Sequence, residues 1–159
     1  MPPHLVELMG MEVSQVPIDT TGAAISGDWL SMANYAHATV IISQGAWAGG
    51  TPAVTLAQAT TNTGTSEKAL AFTKRWDKVA VTGTTFVERT VTSNTFNLPA
   101  TANTINVLEI EAAEMDTDGG FDFFQVEVAS PGANADLITI IVILSGARYQ
   151  QAVMVDAKV

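Results

Sequence analysis

The chain predicts an all-β fold, a single antiparallel β-sandwich of jelly-roll type preceded by an extended N-terminal arm, and three features of its 159 residues carry that prediction. Residues 137–144, LITIIVIL, are β-branched or aliphatic throughout and lie between the turn-rich SPGANAD and SGARY. A bilayer-spanning helix needs roughly 20 apolar residues, so this run is too short to cross a membrane and reads as an interior strand apolar on both faces. On that reading Ile140 and Ile141 are equally indispensable. From Ala38 onward, short alternating segments are separated by Gly, Asn, Asp, Ser and Pro clusters at the spacing of an all-β domain. No segment is long enough for the helix of a βαβ crossover, which argues against a parallel sheet. A chain of this length forms one domain and buries about 68–70% of its unfolded surface. The expected division is an arm over 1–27 and a sandwich over 28–159.

The arm is expected because Pro2, Pro3, Pro17 and the cluster TTGAAISGD punctuate a stretch whose apolar residues keep neither helical nor strand spacing. Asp28 is placed to cap a short helical turn over 29–35. ATVIIS (38–43) then sets Val40 and Ile42 against Thr39 and Ile41, and AVTLAQ (53–58) puts Val54 and Leu56 on one face. ALAFTKRWDKVAV (69–81) turns Leu70 and Phe72 inward, with a bend expected near Asp77. FVERTVT and TFNLP are threonine-rich, as a half-exposed pleated surface is. INVLEIE directs Leu108 and Ile110 inward and Glu109 and Glu111 outward, and FDFFQVEV directs Phe124, Val126 and Val128 inward. The tail QQAVMVDAKV is compatible with an edge strand or with an arm.

Sixteen acidic against seven basic residues give a net charge of −9, which disfavours capture of nucleic acid or of an anionic membrane by clustered Lys and Arg. Lys68, Lys74, Arg75, Lys78 and Arg89 fall mid-chain and nine acids lie from Glu109 onward. Those segments form either a polar pair of faces that orients the molecule against a neighbour or two ordinary solvated surfaces. There is no cysteine, which removes disulfides, thiolate nucleophiles and cysteine-based zinc sites. MPPHLVELMGMEV lacks the basic start and continuous apolar core of a secretory signal, and none is expected.

No GxSxG elbow, GxxxxGK loop, GxGxxG or HExxH stands in the text, and nothing in it places Ser and Asp together with either histidine, His4 or His37. The expectation is a protein that is not an enzyme, with no catalytic, cofactor-binding or metal residues. Glu109 and Glu111 sit about 7 Å apart on one strand face, a separation glycosidases use, but alternating Glu on a solvent face explains them. Asp116, Asp118 and Asp122 with Gly119 and Gly120 supply some calcium-loop oxygens, yet Gly120 stands where a third acid is needed and no distal Glu follows. A tight acidic turn with Gly119 or Gly120 at positive φ and Asp side chains on backbone amides is the expected structure. Trp29 and Trp76 are expected at the core edge, whereas Trp47, in GAWAGG, is either a plug over a sheet end or a contact residue. Leu5, Val6, Leu8 and Met9 have no evident local core to join. Together with Trp47, Arg148 and Tyr149 they form the candidate interface.

Taken in order, GDWLSMANYAHATVIISQGAWAGG (27–50), TPAVTLAQAT (51–60), KALAFTKRW (68–76) and EIEAAEMDTDGGFDFFQVEVASPGANADLITIIVILSGARY (109–149) resemble small structural proteins encoded near the major capsid protein of tailed phages. The resemblance spans about two thirds of the chain and is weakest in the N-terminal segment and the middle. It implies a virion component, most often a decoration or cement protein that assembles in the host cytoplasm and sits on the capsid exterior. Its implied partners are the major capsid protein and further copies of the chain, as a dimer or trimer. A tail-tube or head–tail connector subunit is the alternative within the virion. A carbohydrate-binding β-sandwich, with Trp47 and the acidic turn as platform, is the alternative outside it.

Overall fold

The computed structural model describes residues 8–79, 82–148 and 157–158. Among the described residues twelve strands follow one another: β1 (Gly10–Asp19), β2 (Ile25–Ser26), β3 (Leu30–Ser31), β4 (Tyr35–Trp47), β5 (Ala53–Ala59), β6 (Lys68–Ala69), β7 (Lys74–Val79), β8 (Val87–Thr90), β9 (Thr95–Asn97), β10 (Thr104–Glu111), β11 (Phe123–Val128) and β12 (Asp136–Ala147). All pair antiparallel. The larger sheet runs β1-β12-β4-β10-β7-β8, and the smaller runs β2-β11-β5-β6 with β3 against β11 and β9 against β5. A β-sandwich is therefore the architecture, as the strand and turn pattern predicts.

Period-two alternation explains the core. Val40, Ile42, Leu108, Ile140 and Val142 from the larger sheet are fully enclosed and meet Val54, Leu56, Phe124 and Val128 from the smaller. Burying each such aliphatic stabilises by roughly 1.5–3 kcal/mol, so these interleaved rows dominate the fold.

Four sequence expectations need correction. The arm over 1–27 does not hold from Gly10 onward, because Gly10–Asp19 is a sheet strand paired with β12 through Gly10↔Leu144 to Asp19↔Leu137, and Ile25–Ser26 pairs with β11. The sandwich thus begins before residue 28. Two register irregularities, between Val13 and Gln15 and between Gln15 and Ile18, break the simple alternation and made the text read as a loop. Gly10 belongs to this edge for a steric reason: a Cβ there would stand 2.8 Å from Tyr35 Oη.

The helical turn over 29–35 is absent. Leu30, Met32 and Tyr35 are all buried, a spacing the short strand β3 and the following turn satisfy, and the Asp28 amide donates to Ser14 Oγ at 2.8 Å. The break in 69–81 falls at residues 70–73, not at Asp77, which lies within β7. Leu70 and Phe72 nonetheless point inward, as expected.

The fourth correction concerns LITIIVIL. Ile138, Ile140, Val142 and Leu144 are enclosed, but Leu137 is 41% exposed and Thr139, Ile141 and Ile143 are half-buried. Strand β12 is interior to its sheet yet has only one face in the core. Its other face looks outward.

Polar residues line one end of the interior. Gln44 donates to Asp136 Oδ2 at 2.9 Å and accepts from Thr104 Oγ1 at 2.8 Å, Asn106 follows on β10, and Arg75 donates to Asn106 Oδ1 at 3.0 Å and to Asp77 at 3.1 Å. Arg89 on β8 closes the series on Asp77. Asp136 is fully buried, and its Oδ1 has no hydrogen-bond partner. Burial pushes its carboxyl above the ordinary range, against the opposing effect of the Gln44 hydrogen bond, with the Asp19 charge adding to the rise. The folded state therefore favours the neutral acid. This contribution is present below the unfolded carboxylate pKa and is lost as pH rises through the raised folded value. Asp136→Asn is expected to raise the melting temperature at pH 7 by about 2–6 °C and to do much less at pH 3.5, as read by thermal melts at both pH values. An unchanged or lower melting temperature at pH 7 would show that the carboxylate is held charged at no cost.

Candidate interaction surface

Strand register builds an apolar row on the outward face of the larger sheet. Val13 on β1 pairs with Ile141 on β12, Ile141 with Ile41 on β4, Ile41 with Val107 on β10, and Val107 with Trp76 on β7. Residues opposite one another point to the same side, so five strands contribute one line of large side chains. Val13 is 48% exposed, and the other four are half-buried. Met11, opposite Ile143, and Leu137 add exposed apolar surface on the same face. At the opposite margin Trp76, Val107 and Glu109 line an open cleft of about 230 Å³ with Phe86, itself half-exposed. Single exposed apolar residues are common on any protein surface, whereas this set is contiguous over five strands.

The outward rows on either side of it mix polar with apolar residues. Toward one end of the strands stand Thr39 and Glu109, with His37 and Ser145 beyond. Glu109 accepts from Thr39 Oγ1 at 2.9 Å and lies 2.6 Å from His37 Nε2, and His37 Nδ1 is 3.2 Å from Ser145 Oγ. Glu111 is 3.8 Å from the same imidazole. This chain of hydroxyl, imidazole and carboxylate orients Glu109 on an open sheet face. On the other side stand Ser43, Ile105 and Lys78, whose ammonium lies 5.9 Å from the Phe86 ring.

The sequence-derived interface residues do not form one patch. Leu8 is exposed and Met9 half-buried just before β1, and Arg148 is exposed just after β12, its amide donating to Asn34. These three share the end of the sheet where Gly10 pairs with Leu144. Trp47 pairs with Asp136 at the other end of β12, about 35 Å of strand away. Its indole N–H donates to the Gly50 carbonyl at 2.8 Å, which makes it a staple of its own loop. Leu5, Val6 and Tyr149 lie outside the described residues. Trp76, expected at the core edge, instead ends the outward row on β7.

The acidic turn has the expected form. Gly120 is left-handed at φ 79°, and Asp116 accepts from the Gly119 amide at 3.1 Å. Lys68 bonds Asp116 and stands 3.7 Å from the Phe121 ring centroid. The Lys68 ammonium, and after it the Gly119 amide, hold the Asp116 carboxyl below its ordinary range. Among the described residues no group of three or more His, Asp or Glu is placed to hold a metal ion. Of the mid-chain cations, Lys74 pairs with Glu88 and both Arg75 and Arg89 pair with Asp77, acids of the same stretch, whereas Lys68 pairs with Asp116 of the later acidic stretch. No helix among the described residues is long and apolar enough to cross a membrane.

No protein-family model matches the chain, and no curated protein matches it.

Proposed function

We propose that this chain is a structural protein of a tailed-phage virion, a decoration or cement subunit that binds the exterior of the assembled head. The observation that carries the binding role is the apolar row from Val13 to Trp76 on a sheet whose other face already fills the core. A surface of that width on a β-sandwich suits contact with another protein. The assignment to a phage head rests on the sequence segments that resemble such proteins. A cement subunit needs a compact body and a modest contact repeated across a lattice, where repetition multiplies a weak affinity. The proposed partner is the major capsid protein, and the acidic charge of −9 supports contact with protein and not with the packaged nucleic acid.

Co-sedimentation with purified phage heads that lack the protein tests the reading. Saturable binding at a fixed ratio to capsid subunits is expected. Binding to tails or connectors in place of heads would move the assignment to the tail-tube or connector role. Failure on all virion parts together with retention on a glycan array would replace it with the carbohydrate reading.

A further inference from the structure

We infer that Ala157 and Lys158 form a latch that fastens β1, the edge strand of the larger sheet, to the margin of the smaller sheet, and that its release frees β1. The inference concerns the isolated protein and does not depend on binding to a phage head.

Strand β1 lacks the support that the other long strands have. It ends the larger sheet, and among the described residues only β12 pairs with it. No side chain of β1 belongs to the hydrophobic core, since its two buried residues are Gly10 and Ser14. Met11, Val13, Val16 and Ile18 are exposed along it. Its backbone pairing on one side is therefore not backed by the aliphatic interleaving that holds β4, β10 and β12.

The two sheets meet beside β1 through polar contacts. Strands β2 and β3 both pair with β11 at the margin of the smaller sheet, and residues 27–28 in the link between them touch Ser14. Ser14 Oγ accepts from the Asp28 amide at 2.8 Å, and a Cβ on Gly27 would stand 2.4 Å from the same oxygen. Only a residue without a side chain fits there.

Ala157 and Lys158 bridge this seam. Ala157 is buried as part of the core, and its carbonyl accepts from the Ser31 amide on β3 at 2.8 Å. Lys158 reaches both margins: its ammonium lies 2.6 Å from Asp28 Oδ2 on the side of the smaller sheet, and 4.0 Å from Glu12 Oε2 and 3.4 Å from the Val13 carbonyl on β1. One residue is seated in the smaller sheet's margin, and the next ties that margin to β1.

The charge arrangement gives Lys158 a second effect. Glu12 and Asp28 converge on its ammonium, so without it two carboxylates would face one another across the seam of a chain already at −9. A part-exposed ion pair contributes little alone. The latch therefore holds by the burial of Ala157, the Ser31 hydrogen bond and the relief of that repulsion together. When it opens, an edge strand with exposed apolar side chains loses its only tie to the smaller sheet besides the Ser14 contact, and such an edge is a template for pairing with other chains.

Amide hydrogen exchange resolved by NMR, on the full chain and on a chain ending after Asp156, tests this. The amides of β1 bonded to β12 are expected to exchange at least about tenfold faster in the shortened chain, and to gain more than Ile42 and Ile140 in the core strands do. Lys158→Glu, which changes a part-exposed side chain and leaves Ala157 in place, should speed the same amides about threefold or more. Adding Asp28→Asn to Lys158→Glu should recover part of that rise, because it removes the nearest opposing carboxylate. Amides of β1 that exchange alike in the full and shortened chains would overturn the proposal, as would a rise no larger than that at Ile42 and Ile140, which marks a fold weakened throughout. Indifference to Lys158→Glu, or no recovery with Asp28→Asn, would take Lys158 out of the latch and overturn it as well.

Discussion

Ile140→Asp is expected to abolish cooperative folding, whereas Ile141→Asp, its immediate neighbour, is expected to leave a folded protein. Ile140 has no exposed surface, pairs with Ile42 on β4 and faces the smaller sheet. An aspartate there forfeits roughly 1.5–3 kcal/mol of burial and adds several kcal/mol for desolvating an unpaired carboxylate. A domain holds only about 5–15 kcal/mol in reserve. Ile141 points out of the opposite face beside Val13 and Ile41, where a carboxylate keeps contact with water. Its replacement should lower the melting temperature by several degrees and no more. Soluble yield and the cooperativity of thermal melts separate the two variants. A soluble Ile140→Asp protein with a sharp transition would show that the inward row is not the core.

Removing residues 1–19 is expected to be nearly as damaging. An arm could be cut away without loss, but β1 closes one margin of the larger sheet and covers β12 from Leu137 to Leu144. Without it the backbone N–H and C=O groups of an aliphatic strand become an open edge, a template for pairing with other chains. The truncated protein should melt at least 10 °C lower and aggregate on concentration, as followed by thermal melts and light scattering. A truncated protein with the full-length melting temperature would show that β12 holds its place through β4 alone.

The contrast between Ile140 and Ile141 also marks how far the text could be read. Alternation in 38–43, 53–58, 105–111 and 121–128 picked out the inward Val40, Ile42, Val54, Leu56, Leu108, Ile110, Phe124, Val126 and Val128, although Gln125, read as outward, is buried as well and donates to the Gly27 carbonyl. In LITIIVIL both parities are apolar, and period-two reading loses its reference. Such a run describes a strand covered on both sides and a strand with a sticky outer face equally well. Only the register with β1 and β4 distinguishes them. The N-terminal strand was hidden for a related reason, because its irregularities at Gln15 and Ile18 shift the parity partway along. The surface was harder still to see. Val13, Ile41, Trp76, Val107 and Ile141 are scattered over almost 130 residues, and no local pattern connects them. His37 and Glu109 likewise meet only because β4 and β10 are neighbours.

The polar series from Asp136 through Gln44, Thr104, Asn106 and Arg75 to Asp77 has a consequence for how the strands find their alignment. Strands β4, β10 and β12 are nearly repetitive on their inward side, with Val40 and Ile42, Leu108 and Ile110, and Ile138, Ile140, Val142 and Leu144. A slide of two residues keeps every apolar group inside and exchanges one aliphatic for another, so oil-like burial alone discriminates weakly between alignments. The same slide would strand Gln44, Thr104 and Asn106 against hydrocarbon, each losing a hydrogen bond in a place water does not reach. These side chains act as index marks on an otherwise uniform ruler. The unsatisfied oxygen of Asp136 is then the stability cost of one such mark at the end of the scale.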